Sequence, residues 1–428
     1  MTPLPAAVLQ ALIQIDTSNP PGGETRAAEY LRTILEPAGV ECTLVARDPR
    51  RANLVARIPG SGDGPRLAFL CHLDVVPTDT REWSVDPYGG MIRDGQVWGR
   101  GAVDMKSQLA AVTVALATLA ADGFRPGGDV MLLAVADEEV GDEKVGMPWL
   151  VEERADLAPD FVVGEGSGER LPTSAGPIYM LDHGVKGSSS ATLSVQGSSG
   201  DASLPRSGDN ALARLGELLA RLDRRPPPLH LLPELEPLLA KLAPGDAPLA
   251  ERAARARAQH PALDRLIEAL LSNVITATQA HANGPANAVS ADAKAHLYIA
   301  ALPGATAAEL ERELRAALGD GDYQLDVDEP EGGSTSPLNT PLHGAIESFL
   351  AEHDPEAQLV PALGYGFSDC HFARQVWGSV AYGFIPFRHA DPLVNLLTKH
   401  GADERVPIAD LHFQVDAAVH VARHLANG

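Results

Sequence analysis

Leu67-Ala68-Phe69-Leu70-Cys71-His72-Leu73-Asp74 is the stretch on which the fold turns. Leu67 to Leu70 is an uninterrupted apolar run too short for a buried helix, so it reads as a short strand covered on both faces. It leads straight into a histidine and an acid. The same figure recurs: Val130 to Ala136 ends in Asp137-Glu138-Glu139, and Phe161 to Val163 leads to Glu165. Asn53 to Ile58 reads as a further apolar strand, while Pro5 to Ile15, Arg26 to Ala38 and Ser107 to Asp122 have helical spacing, with Gly39 a natural C-terminal stop. Apolar strands alternating with helices predict an α/β fold: a mixed, mostly parallel sheet covered on both faces. In such open sheets ligands bind beyond the carboxyl ends of the strands, so these acids and histidines are predicted to converge.

The pattern changes near residue 185. Ser189 to Val195, Ser290 to Leu302 and Tyr323 to Val327 read as strands, and Asn210 to Leu222 and Ala305 to Leu318 as helices, which predicts a small α+β unit. Arg224 to Ser272 is longer than such a unit needs and reads as a helical elaboration. From Thr335 strand-helix alternation returns. The expected organisation is a catalytic domain, residues 1–185 and 334–428, interrupted by a smaller α+β domain, residues 186–333, with a helical insertion at about 224–272.

Composition narrows the function. A length of 428 residues with 45% hydrophobic content suits two domains with sizeable cores. A formal charge of -23 argues against nucleic acid, whose phosphates need clustered Lys and Arg. No apolar run reaches the roughly 18 residues of a membrane span, and Met1 to Gln10 lacks the pattern of a secretory leader. Cys42, Cys71 and Cys370 are odd in number and far apart, which fits a reducing cytoplasm.

His72 and Asp74, two apart, share one side of an extended segment. A metal-bound imidazole usually donates its second N–H to a carboxylate, a need this pair could serve, although a plain surface pair has the same spelling. Asp104, in Gly99-Arg100-Gly101-Ala102-Val103-Asp104-Met105-Lys106, sits in a turn before a helix. There it could bridge two metals or simply cap the helix. Asp137-Glu138-Glu139 repel one another unless a cation is near. With a metal, one glutamate can coordinate while its neighbour takes a proton from water; the alternative is a solvated turn. Glu165, in Gly164-Glu165-Gly166-Ser167-Gly168, and His400, in His400-Gly401-Ala402-Asp403-Glu404-Arg405, are each ambiguous alone. Gly60 to Gly64 and Gly99-x-Gly101 lack the strand and helix context of a nucleotide fingerprint.

Taken together, Cys71 to Pro77, Gly99 to Lys106, Asp137-Glu138-Glu139, Glu165-Gly166 and His400 to Glu404 resemble, in order and separation, the co-catalytic metallohydrolases that include aminoacylase, carboxypeptidase G, acetylornithine deacetylase and succinyl-diaminopimelate desuccinylase. The resemblance implies two zinc ions, with cobalt or manganese as substitutes. His72, Asp104 and Glu165 would hold one ion, and Asp104, Glu139 and His400 the other. It implies a cis peptide after Asp104, Glu138 as general base and acid, and Asp74 as the residue orienting His72. Gly366-Phe367-Ser368-Asp369 resembles the family's substrate loop, so Ser368 and Asp369 are substrate-binding candidates. The small domain resembles the family's lid and dimerisation domain, which implies a homodimer.

There the pattern departs from the family. Gly197 to Pro205 matches a family motif, except that Asp201 stands where a histidine is expected to reach the oxyanion from the partner subunit. Asn287 is kept, but Ser290 replaces the usual proline, and Tyr298 and Ala300 replace an aspartate and the arginine that grips a substrate carboxylate. The resulting expectation is hydrolysis of an atypical N-acyl or natural-product amide, with Asp201 and Asn287 lining the substrate site. Competing readings are a conventional peptidase or deacylase using another arginine, Arg206 or Arg388; a hydrolase of aromatic or cyclic amides; and a metal-bound but inactive binding protein. In every enzymatic reading the partner is a small amide or short peptide, not nucleic acid or membrane.

Overall fold

The computed structural model describes residues 3–141 and 143–426. Eight strands form the large sheet, in the order Glu41–Val45, Asn53–Ile58, Val130–Val135, Leu67–His72, Phe161–Gly164, Val380–Gly383, Ile178–Val185, Gln358–Gly364. Leu67–His72 runs parallel to both of its neighbours, and the pairs of Phe161–Gly164 with Val380–Gly383 and of Ile178–Val185 with Gln358–Gly364 are also parallel. The remaining three contacts are antiparallel. The sheet is therefore mixed and mostly parallel, as the apolar runs predict.

The strand interiors Leu67–His72 and Val130–Val135 are buried at every residue, which is why they lack the polar alternation of a half-exposed strand. Helices Pro5–Gln14, Thr25–Leu35, Lys106–Ala121, Pro341–His353 and Ile408–Ala426 cover one face through Leu9, Leu31, Leu116, Phe349 and Leu411. Met147–Glu153 and Cys370–Trp377 cover part of the other through Met147, Leu150 and Ala373. Among the described residues no helix is long and apolar enough to cross a membrane, and the three cysteines are free.

A second sheet pairs Val274–Ala282, Asp292–Ala301, Gly187–Gln196 and Gln324–Val327 in that order. Helices Ala211–Arg224 and Ala307–Leu318 pack on one of its faces through Leu215, Leu310 and Leu314. The 224–272 stretch folds largely into helices Glu236–Leu242, Leu249–Arg257 and Pro261–Leu271. Their apolar faces join Ile178, Met180, Val360 and Ala362 of the large sheet, not the core of the small one. The elaboration is thus packed against the large sheet, although its chain position lies inside the small α+β segment. Strands that the sequence reading does not name include Glu41–Val45, Val274–Ala282 and Ile178–Val185. The first two are edge strands without a buried residue, and the third is fully buried yet interrupted by Asp182 and His183.

Candidate metal centre

Three adjacent parallel strands deliver most of the site. His72 is the last residue of Leu67–His72; Asp137, Glu138 and Glu139 follow Val130–Val135; Glu165 follows Phe161–Gly164. Asp104 comes from the loop before helix Lys106–Ala121, and His400 from the loop after helix Pro392–Thr398. Ligand-capable atoms of His72, Asp104 and Glu165 lie within 4.8 Å of one another, and so do those of Asp104, Glu139 and His400. Asp104 is common to both groups. Its Oδ1 is 3.0 Å from His72 Nε2, its Oδ2 is 3.0 Å from His400 Nε2, and His400 Nε2 is 3.1 Å from Glu139 Oε2. Glu139 Oε1 is buried without a partner among the described residues. Imidazole nitrogens and carboxylate oxygens gathered around a shared acid are the donor set of a paired divalent-cation site, and the residues present fit it.

Electrostatics point the same way. Burial and the nearby Glu165, Asp369 and Glu139 hold the Glu138 carboxyl well above its ordinary range. Burial opposes charging His400, but its bonds to Asp104 and Glu139 outweigh this and raise its pKa to about 10. The cluster is an excess of acid in a buried place, which cations relieve.

Asp104 does not cap the following helix: Met105 occupies that position, and no side chain caps there. The peptide from Asp104 to Met105 is cis. The loop is held instead by Glu404, fully buried. Its Oε1 accepts from the Val103 and Asp104 N–H groups at 2.6 and 2.9 Å, and its Oε2 from Gly101 N–H and Arg100 Nη1 at 2.7 and 2.8 Å. Gly101 has φ +86°, and a Cβ there would come within 2.7 Å of Val75, so the loop requires glycine at this position.

Asp74 acts differently from the sequence expectation. His72 Nδ1 bonds the Asp74 main-chain oxygen at 2.9 Å, whereas the Asp74 carboxylate is 3.8 Å away. That carboxylate accepts from the N–H groups of Glu138 and Glu139 at 3.2 and 3.1 Å and from Asn19 Nδ2 at 3.0 Å. Asp74 therefore orients His72 through its backbone and fixes the two glutamates through its side chain. Nor is the triple-acid turn solvated. Asp137, at φ 62°, lies 3.3 Å from Arg51 and accepts from Asn19 at 3.0 Å, while Arg51 is also bound to buried Glu24.

Ser368 and Asp369 reach the site. Asp369 lines a small cavity with His72, Glu138 and Glu165. Ser368 Oγ and Asp369 Oδ2 are buried without partners among the described residues, and burial pushes the Asp369 carboxyl up to about 8. Asp201 and Asn287 lie together in the small α+β unit instead. Asp201 pairs in register with Ala288, the Asn287 carbonyl accepts from Ala202 N–H, and the Asp201 carboxylate accepts from Ser203 N–H and Oγ at 2.9 and 2.7 Å. Ala300 is buried in its strand. Neither alternative arginine reaches the cluster: Arg388 donates to the His353 carbonyl and lies over Phe413, and Arg206 occupies an exposed turn.

One neighbour escaped sequence reasoning. Lys399 Nζ is 2.5 Å from Glu165 Oε1 and 3.4 Å from Asp104 Oδ2; its place beside His400 was the available signal. Tyr298 of the small sheet, 38% exposed, has its phenol pKa raised by partial desolvation and by the charge of Glu138. A third grouping, Glu352, His353 and His420, lies apart from these residues.

The model of peptidase family M20/M25/M40 matches residues 68–424. Succinyl-diaminopimelate desuccinylase of Methylobacterium sp. is 31% identical over 426 residues, covering 96% of this chain and 93% of that protein. The protein of the same name in Rhodospirillum centenum is 36% identical over 237 residues, an alignment covering 53% of this chain and 58% of the relative's own length. An M20 family metallo-carboxypeptidase from Sulfolobus solfataricus shares the fold at TM-score 0.75 and 19% identity, with 99% of both chains covered. The chain belongs to peptidase family M20/M25/M40, whose members are metal-dependent hydrolases of amide and peptide bonds.

Proposed function

We propose that this enzyme hydrolyses the C–N bond of a small amide, using two zinc ions held by His72, Asp104 and Glu165 and by Asp104, Glu139 and His400. The observation that carries the reading is the pair of three-residue groups sharing Asp104. When bound, the ions supply the Lewis acidity that activates water and polarises the amide carbonyl. Glu138 takes the water's proton and delivers it to the leaving nitrogen. Its raised pKa suits a group that must hold a proton between the two transfers. Asp74 keeps Glu138 in place by accepting its N–H.

The substrate is an N-acyl or natural-product amide without a free carboxylate beside the scissile bond. Support comes from Ala300, which offers no cation, and from Asp201, whose carboxylate is satisfied within its own turn. The protein acts as a cytoplasmic homodimer joined along the exposed edge strand Val274–Ala282 of residues 186–333, the unit that interrupts the catalytic domain formed by 1–185 and 334–428. Light scattering tests the assembly, a monomer counting against it.

The deciding experiment is amide hydrolysis by zinc-loaded protein beside a Glu138→Ala variant, on amides with and without an adjacent carboxylate. The expected result is cleavage of the carboxylate-free amides and a loss of at least about 100-fold in the variant. Equal cleavage of N-acetyl amino acids removes the substrate proposal, and equal rates in both proteins remove Glu138 as the base.

A further inference from the structure

Beside the candidate metal centre lies a pocket that shares Asp104 and Glu165 with the centre. Its walls are apolar: Leu171, Met180, Leu266, Ile385, Phe387 and Leu396. Leu266 comes from helix Pro261–Leu271, so the helical elaboration supplies part of one wall. The polar part is different. Asp182, 1% exposed, uses Oδ2 to accept the Ser167 N–H at 2.8 Å, and its Oδ1 has no partner among the described residues. Asn395, 2% exposed, sits beside Glu169, to which its Nδ2 can donate, and its Oδ1 has no partner among the described residues. Both side chains line the pocket, as do Glu169 and Lys399.

Burying an unpaired carboxylate oxygen and an unpaired carboxamide oxygen is costly unless a partner arrives. Charge decides which partner. Lys399 faces Glu165 and Asp104, at the end nearest the metal groups. With those two acids neutralised by cations, the pocket keeps the Glu169 and Asp182 carboxyls, both raised by burial and Asp182 to about 7, so that an arriving cation would hold them ionised. Carboxyl and carboxamide oxygens set among apolar side chains fit an aliphatic stem that ends in a nitrogen carrying N–H donors.

Resting on the amide-hydrolase reading above, we propose that this pocket is a specificity subsite for a substrate arm ending in an amine or guanidine, received by Asp182 Oδ1 and Asn395 Oδ1. The helical elaboration then has a substrate-side role, which the small sheet's altered residues do not provide.

Titration calorimetry on zinc-loaded Glu138→Ala protein tests it, because that variant leaves the ligands intact. The probes are matched amides in which one arm ends in an amine or in an isosteric methyl, with the differing arm on the acyl side in one pair and on the nitrogen side in the other. The expected result is a preference of about 10–100-fold for the amine in one of the two pairs, as for a charge-assisted bond. That preference is lost when Asp182→Asn is added, which retains an acceptor for Ser167 N–H, and weakened by Asn395→Leu, while the methyl ligands bind all variants alike. No preference in either pair, or a preference that survives Asp182→Asn, overturns the proposal. Loss of metal-dependent hydrolysis in the wild type is read separately and counts against the amide-hydrolase reading instead.

Discussion

Glu404 is fully buried and accepts four hydrogen bonds that shape the Asp104 loop, whereas Asp201 is exposed and bonds only Ser203. Both stand in motifs that resemble the same family, but only one is tied into its surroundings. The metal-facing half depends on buried polar networks in which each member satisfies several others. Changing one member strands the rest. In the small unit Asp201 sits on an exposed turn, where substitution leaves little unsatisfied. The difference teaches why a ligand set can stay complete while the substrate-side residues drift.

The contrast breaks first at Glu404. Glu404→Ala leaves the Arg100 guanidinium and three main-chain N–H groups without their carboxylate, in a place water does not reach. The expected loss is roughly 5 kcal/mol in urea unfolding, at the upper end for single substitutions. Zinc stoichiometry by elemental analysis falls with it, because Asp104 loses its mount. A stable variant that still binds two ions would show that the loop is held by other contacts.

Arg51→Met follows, at about 3 kcal/mol, by leaving Glu24 and Asp137 as buried, unpaired acids. Unlike Glu404, Arg51 sits behind the glutamate turn, so metal binding weakens through the Glu139 side while the Asp104 loop keeps its shape. A neutral effect on unfolding would mean that Asn19 alone satisfies Asp137.

These networks also mark the limit of what the sequence makes legible. His72, Asp104, Glu139, Glu165 and His400 are each ambiguous alone and stand out only as a set, through the resemblance of their motifs to the family, while the strands behind them are unbroken apolar runs. Arg51, Glu24 and Asn19 carry no such mark, since their partner Asp137 is far away in sequence and only the fold brings them together. The same holds for Asp182, a polar break in a buried strand whose meaning depends on Asn395, more than two hundred residues later. Helices 236–271 are readable as helices from their spacing, but nothing local says that they pack on the large sheet, because an amphipathic face does not name its partner.

Between the two halves lies Lys186, at the junction of strands Ile178–Val185 and Gly187–Gln196. It is fully buried and donates to the Ala269 and Ser272 carbonyls at 2.9 and 2.7 Å, fastening the end of helix Pro261–Leu271. Burial, only partly offset by Glu313, lowers its pKa from 10.5 to about 7. Between those values the unfolded chain carries a proton that the folded chain lacks, so stability rises with pH across the window. Relative to Lys186→Met, the wild type should gain on the order of 1 kcal/mol per pH unit between pH 8 and 10 in urea unfolding. A flat difference would mean that the two carbonyls keep the ammonium charged in the fold.

The smallest effect belongs to Asp201. Its carboxylate is exposed and its pKa is lowered by the bonds from Ser203, so Asp201→Ala removes one turn contact and strands no buried group. The unfolding midpoint should not move measurably, and zinc stoichiometry should match the wild type. Asp201→His is the sharper arm, since it places an imidazole where family members carry one. If the small sheet's exposed positions have drifted because catalysis no longer uses them, that variant leaves amide hydrolysis unchanged. A gain in kcat would instead mean that the turn still reaches the reacting carbonyl, and that the aspartate there weakens an otherwise intact site through repulsion of the developing oxyanion.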